Sequence, residues 1–188
     1  MKLRLSLITF LAAATTGVFA QMGAAPAASA SAPATALSLP AEAKMAYTRV
    51  RDNIVKAVDK MPDDAYDFKP LPDVRTFAQV VNHVTAAQMR TCSGINGQMK
   101  SPPAPGKTKA EIVAAVKASF DECDKAYDAV TLSNMADMMD MGPFHRSKLG
   151  LLWGNVSHDN EQYATLALYM RLKGIMPPSF EGPPAPPK

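Results

Sequence analysis

The sequence predicts an all-α protein, a four-helix bundle. Apolar residues recur at three- and four-residue spacing through four separate stretches, Pro- and Gly-rich segments divide those stretches, and none shows sustained strand alternation. Four helices of roughly 16 to 27 residues, each with an apolar stripe, bury those stripes most simply against one another.

The first helix opens at Ser38, an N-cap residue, with Pro40 in the first turn, where its missing N–H is harmless. Tyr47, Val50, Ile54, Val58 and Met61 trace its stripe, and Pro62 ends it. The second begins after Thr76, with Phe77, Val80, Val81, Val84 and Gln88 on one side, and ends by Gly94 to Gly97. The third starts at Thr108-Lys109-Ala110-Glu111, the pattern of a capping box, and carries Ile112, Val113, Val116, Phe120, Cys123 and Tyr127. The fourth runs from about Ser147 to Lys173 and stops at Gly174, with Pro177 beyond.

The two cysteines bear on the order of the helices. Cys92 lies near the end of the second helix and Cys123 late in the third. Antiparallel neighbours would hold them about 20 Å apart at 1.5 Å per residue, whereas a disulfide needs Cα atoms within about 7 Å. A bridge therefore requires the second and third helices to run parallel. The connection from Ser93 to Lys107 is long enough to cross back along the bundle. Two buried thiols with antiparallel helices are the alternative. The bridge is the preferred expectation, and with it an up-down-down-up order.

Residues 1–20 have the form of a secretory signal peptide: Lys2 and Arg4, an uncharged apolar run from Leu5 to Val18, then small residues before Gln21. An uncleaved anchor is the competing reading, but the run is short for a membrane span. Export to the periplasm or cell envelope is thus expected, where a disulfide persists. Residues 21–37 are mostly Ala, Ser and Pro and read as a linker; 38–180 form the bundle; 181–188 are a Pro-rich tail. Without residues 1–20 the formal charge falls from +3 to +1, and no basic stripe with interleaved aromatics is present, so nucleic acid is not an expected partner. No second long apolar run suggests a transmembrane segment in the mature form. A small molecule is the expected ligand, and a homodimer through helix faces is compatible with the pattern without being required by it.

The sequence contains no G-x-S-x-G, P-loop or dinucleotide fingerprint, and its cysteines lack C-x-x-C spacing. Several segments instead resemble the DinB-like family of bacterial helical bundles, which includes the YfiT-like candidate metalloenzymes. They are Met61-Pro62 through Tyr66-Asp67-Phe68-Lys69-Pro70, Val74 to Phe77, Val81-Asn82-His83-Val84, Ala118-Ser119-Phe120, His158 to Tyr163, and Tyr169 to Pro178. The resemblance spans nearly the whole bundle and implies the same up-down-down-up order. It also implies a divalent metal, zinc or nickel, on three histidines, one from the second helix and an H-x-x-x-H pair from the last. His83 and His158 match the first two positions, but Gln162 stands at the third.

His158 and Gln162, four residues apart, share a helical face. Imidazole suits zinc and nickel, while an amide oxygen is a weaker donor to them. Asn155, one turn before His158, is a candidate second-shell or oxygen-donating group. Asp159 and Glu161 are expected to point elsewhere. Hydrogen-bonded polar groups in a core would explain the same residues without a metal. His145 precedes the last helix, and Met135, Met138, Met139 and Met141 cluster nearby; such methionines more often fill core gaps than bind copper. Two functions follow: a metal-dependent enzyme of hydrolysis or thiol-linked S-transfer, as the resemblance implies, or a catalytically silent bundle binding a small molecule or protein.

Overall fold

A computed structural model describes residues 36–142 and 144–182. The expected signal peptide, most of the linker and most of the Pro-rich tail lie outside the described residues. Four helices carry the fold: α1 (Leu39–Lys60), α2 (Phe77–Ile95), α3 (Lys109–Ala129) and α4 (Lys148–Leu172). Short 3-10 turns occupy Asp63–Ala65 and Pro178–Phe180.

The helix starts follow the local chemistry of the sequence. Ser38 caps α1 by accepting a hydrogen bond from the Ala41 N–H. Thr76 and Thr108 each close a capping box, with Gln79 and Glu111 reaching back to the cap backbone. Ser147 caps α4 through the Gly150 N–H. Gly174 follows α4 with φ of 74°, a left-handed conformation that glycine adopts without a Cβ penalty.

Side-chain contacts fix the direction of each helix. Tyr47 near the start of α1 meets Phe120 and Asp124 near the end of α3, and Lys117 of α3 pairs with Asp59 near the end of α1, so these two run antiparallel. Asn82, early in α2, bonds Gly106 just before α3, while Asn96 after α2 bonds Glu122 late in α3, so these run parallel. Gln88 and Arg75 meet Asn155 and Tyr169 respectively, which sets α4 antiparallel to α2. The order is up-down-down-up. Cys92 and Cys123 are joined in a disulfide with Cα atoms 4.8 Å apart, which only parallel α2 and α3 allow.

The core runs the length of the bundle. Tyr47, Ile54, Val58, Phe77, Val81, Val116, Leu152 and Leu166 are almost fully buried. Each such side chain contributes on the order of 1.5–3 kcal/mol relative to exposure. Tyr47 stacks on Tyr127 with ring centroids 3.9 Å apart, and its hydroxyl donates to Asp124 at 2.8 Å. Burial first, then the Asp124 contact, pushes the Tyr47 phenol far above its usual range, so it stays a neutral donor.

One element corrects the sequence reading. A β-hairpin, β1 (Met138–Met141) and β2 (Phe144–Ser147), precedes α4 where no strand was expected. Met139 and Met141 turn toward the bundle while Met138 and Asp140 face out, and Gly142 turns the chain at φ of 69°. Four residues are too few for alternation to stand out, and three of them are methionine. Of the methionine cluster, Met139 and Met141 thus form the inner face of a hairpin, Met135 packs on the core ahead of it, and Met138 is exposed.

The crossover after α2 is tied down by Glu122. Its buried carboxylate accepts hydrogen bonds from Lys100 Nζ and Asn96 Nδ2, both at 2.8 Å. Those two bonds hold the carboxyl below its usual value of 4.5, against the opposing effect of burial. A depressed folded-state pKa means that the stabilisation is present above the usual value and is lost as pH falls through the folded one. Glu122→Gln is therefore expected to lower stability by about 1–2 kcal/mol at neutral pH. Urea unfolding at about pH 7 and about pH 3 checks this: a gap from wild type that does not shrink in acid would contradict it.

Candidate metal and ligand site

His83 on α2 and His158 on α4 come together across the antiparallel pair. Their Nε2 atoms stand 3.0 Å apart, and the rings tilt at 58° to each other. Both side chains are half-buried at the bundle surface. Desolvation lowers the pKa of His83, and the charges of His158, Arg75 and Arg90 add to the effect, with Glu161 opposing. His83 is thereby held neutral, with a lone pair available at ordinary pH.

Behind the pair lies a chain of buried polar groups. Asp159 is completely buried, with Oδ1 3.4 Å from His158 Nδ1 and Oδ2 accepting from Gln88 Nε2 at 2.8 Å. Asn155 Nδ2 donates to Gln88 Oε1 at 3.0 Å, and the Tyr127 hydroxyl donates toward Asn155 Oδ1 at 2.9 Å. Every buried side-chain nitrogen and oxygen among the described residues has a partner. Burial raises the Asp159 carboxyl, while His158 and Gln88 pull it back down.

Asp159 corrects the sequence reading, which pointed it away from the site. It follows Asn155 by one turn, so both look into the core, while His158 and Gln162 form the adjacent row. Gln88 carried a signal: a long polar side chain inside the apolar stripe of α2 needs a buried partner. Asn155 belongs to this inner network and reaches His158 through Gln88 and Asp159.

Gln162 follows His158 along α4 but makes no hydrogen bond to either imidazole. It lines a separate groove of about 500 Å³ with Asp73, Arg75, Glu161 and Tyr169. Among the described residues, no three His, Cys, Asp or Glu side chains converge on one point. His145 lies on β2, exposed and paired with Asp140 on the facing strand, apart from the two converging histidines.

A second groove, of about 570 Å³, opens beside His158 between α2, α4 and the hairpin. Ala87, Met99, Met141 and Leu151 give it an apolar wall, and Arg90 and Arg146 stand on its lining.

The profile of the DinB superfamily matches residues 46–166, from early α1 through most of α4. The chain belongs to the DinB superfamily. Solved structures agree in fold. A DinB-like protein from Bacillus cereus ATCC 10987 is 18% identical, with a TM-score of 0.61, covering 72% of this chain and 93% of that one. A DinB-like protein from Bacillus subtilis is 17% identical, with a TM-score of 0.59, covering 71% and 92% respectively. A conserved protein from Enterococcus faecalis is 11% identical, with a TM-score of 0.57, covering 73% and 98%. At these identities the likeness concerns the fold alone. No curated protein matches the chain.

The DinB-superfamily bundle explains why the histidines meet. Antiparallel α2 and α4 bring the middle of each helix level with the other, so residues 83 and 158 face across one interface. Two imidazole nitrogens on a tetrahedral ion stand about 3.3 Å apart, given metal–nitrogen bonds of about 2.0–2.1 Å. The 3.0 Å separation needs only a small opening to admit one. Asp159 beside the far nitrogen of His158 matches the carboxylate–histidine arrangement that orients metal-binding imidazoles. The donor set fits a divalent ion on two imidazoles, with the third position weak.

Proposed function

We propose that this DinB-superfamily protein binds a divalent ion, zinc or nickel, through His83 and His158, with Gln162 as a weak third donor. On this reading the protein is an enzyme of the cell envelope that carries out hydrolysis or thiol-linked transfer on a small molecule. The 3.0 Å approach of the two Nε2 atoms is the observation that carries the reading. When bound, the ion supplies Lewis acidity and lowers the pKa of a bound water or thiol. The protein's own part is to hold His83 neutral, to fix the His158 ring through Asp159, and to present a ligand from the neighbouring groove.

The disulfide supports the location, since such bonds persist in oxidising compartments. Among the described residues no helix is long and apolar enough to cross a membrane. Mature protein recovered from its native host should begin at Gln21 and show no free thiol when denatured without reductant; an intact Met1 would contradict export by this signal.

Zinc titrated into protein beginning at Gln21 should bind at one equivalent. At a hundredfold excess over Kd it should add about 2.7 kcal/mol of stability, seen as a rise in Tm of about 5–10 °C. His158→Ala should weaken binding at least about tenfold. Absence of stoichiometric zinc or nickel at micromolar concentrations would overturn the metal reading. The observation that Gln162 lines a different groove favours a second reading, a bundle that binds a small molecule without catalysis.

A further inference from the structure

The geometry points to an anion-binding subsite in the groove beside His158, made by Arg90 of α2 and Arg146 of β2, which would take a small molecule with a carboxylate or similar anionic head and an apolar body. This names the substrate class for the site proposed above and rests on that reading for its role, though not for binding itself.

The groove has the size of a small-molecule site, which typically spans about 300–1,000 Å³. No carboxylate lines it among the described residues. Neither Arg90 nor Arg146 forms an ion pair with an acidic side chain among the described residues. Lys148, close to Arg146 in sequence, is by contrast paired with Asp137 outside the groove. Two guanidiniums without acids on the lining of one groove create a positive field whose natural complement is an anion, and the guanidinium fork matches a carboxylate's two oxygens.

Arg146 is placed there by glycine. Gly150 and Gly154 lie one turn apart on α4, and the guanidinium rests on the channel they leave. A Cβ added at Gly154 would stand 2.9 Å from Arg146 Nη1, and one at Gly150 would lie 3.8 Å from its Nε. Glycine within a helix costs roughly 0.5–1 kcal/mol against alanine, so two in this strip are a local cost that positions the arginine. Met99 and Met141 pack over Gly94 of α2, one turn beyond Arg90. The unbranched thioethers make an adaptable apolar wall. A ligand would lay its body along the methionines and Leu151 and direct its head at the arginines, one end reaching His158.

The test uses protein beginning at Gln21, first freed of metal with EDTA. Calorimetric titration compares octanoate, octanol and octyltrimethylammonium. Octanoate should bind at least about tenfold more tightly than the neutral and cationic probes. The preference should fall to near unity in R90Q/R146Q, whose Tm should stay within a few degrees of wild type because both guanidiniums are exposed. Equal affinity for octanoate and octanol, or a preference that survives in the double variant, would overturn the assignment. The same titrations on zinc-treated protein separate the two claims. Zinc uptake without anion preference sinks the subsite alone, and anion preference without zinc uptake sinks the metal reading alone.

Discussion

Replacing both Cys92 and Cys123 by alanine is expected to lower the unfolding free energy by about 3–4 kcal/mol. The bridge closes a loop with a sequence separation of 31 residues, and the chain-entropy relation for a loop of that length gives about 3.7 kcal/mol at 25 °C. The loop contains the crossover from α2 to α3, which runs the length of the bundle to bring the start of α3 beside the start of α2, so the unfolded chain gains much freedom when the tie is cut. Both sulfurs are also fully buried, so their removal leaves unfilled space in the core. An effect on the site should accompany the loss of stability. Cys92 follows Gln88 by one helical turn, and Gln88 holds both Asn155 and Asp159. Loosening that turn relaxes the carboxylate that orients His158. Urea unfolding of the double variant against oxidised wild type measures the first effect, and zinc titration of the same samples measures the second. A difference under about 1 kcal/mol would mean the parallel pairing is held by packing alone.

The bundle was legible because its determinants are local. Ser38, Thr76, Thr108 and Ser147 announce helix starts by hydrogen bonds within their own first turn, and Gly174 announces a stop by its own backbone conformation. The direction of α3 was readable for another reason: two cysteines impose a distance that antiparallel helices cannot meet. The hairpin was not legible, since a four-residue strand dominated by methionine has little periodic signal and is stabilised by packing on α2 and α4. Asp159 was set aside because, one residue past His158, it lies off the helical row that His158 and Gln162 share. Its burial makes sense only beside Gln88, 71 positions earlier in the chain, and no spacing rule within one helix reveals such a partner. The subsite arginines were invisible for the same reason. Arg90 and Arg146 belong to a helix and a hairpin, and only the fold places them on one groove.

Gln162→His is expected to tighten zinc binding about a hundredfold, or about 2.7 kcal/mol at 1.4 kcal/mol per tenfold. Position 162 sits one turn after His158, so its side chain leans back toward the preceding turn and the His83 interface. The native amide makes no hydrogen bond among the described residues, so replacing it breaks no internal partnership. Imidazole offers zinc a stronger donor than an amide oxygen, and three imidazoles with one open position are a common catalytic set. The cost is small, because residue 162 already borders a groove of about 500 Å³ that can take the ring. Competition titration against a chelator of known affinity, at fixed pH, gives the change in Kd directly. The result also tests the fold's part in the site. A large gain means α4 aims three successive groups at one point, and glutamine is then what keeps the native ion loosely held and exchangeable. No gain would mean that position 162 serves its own groove with Arg75 and Glu161, leaving a two-histidine site in the native protein.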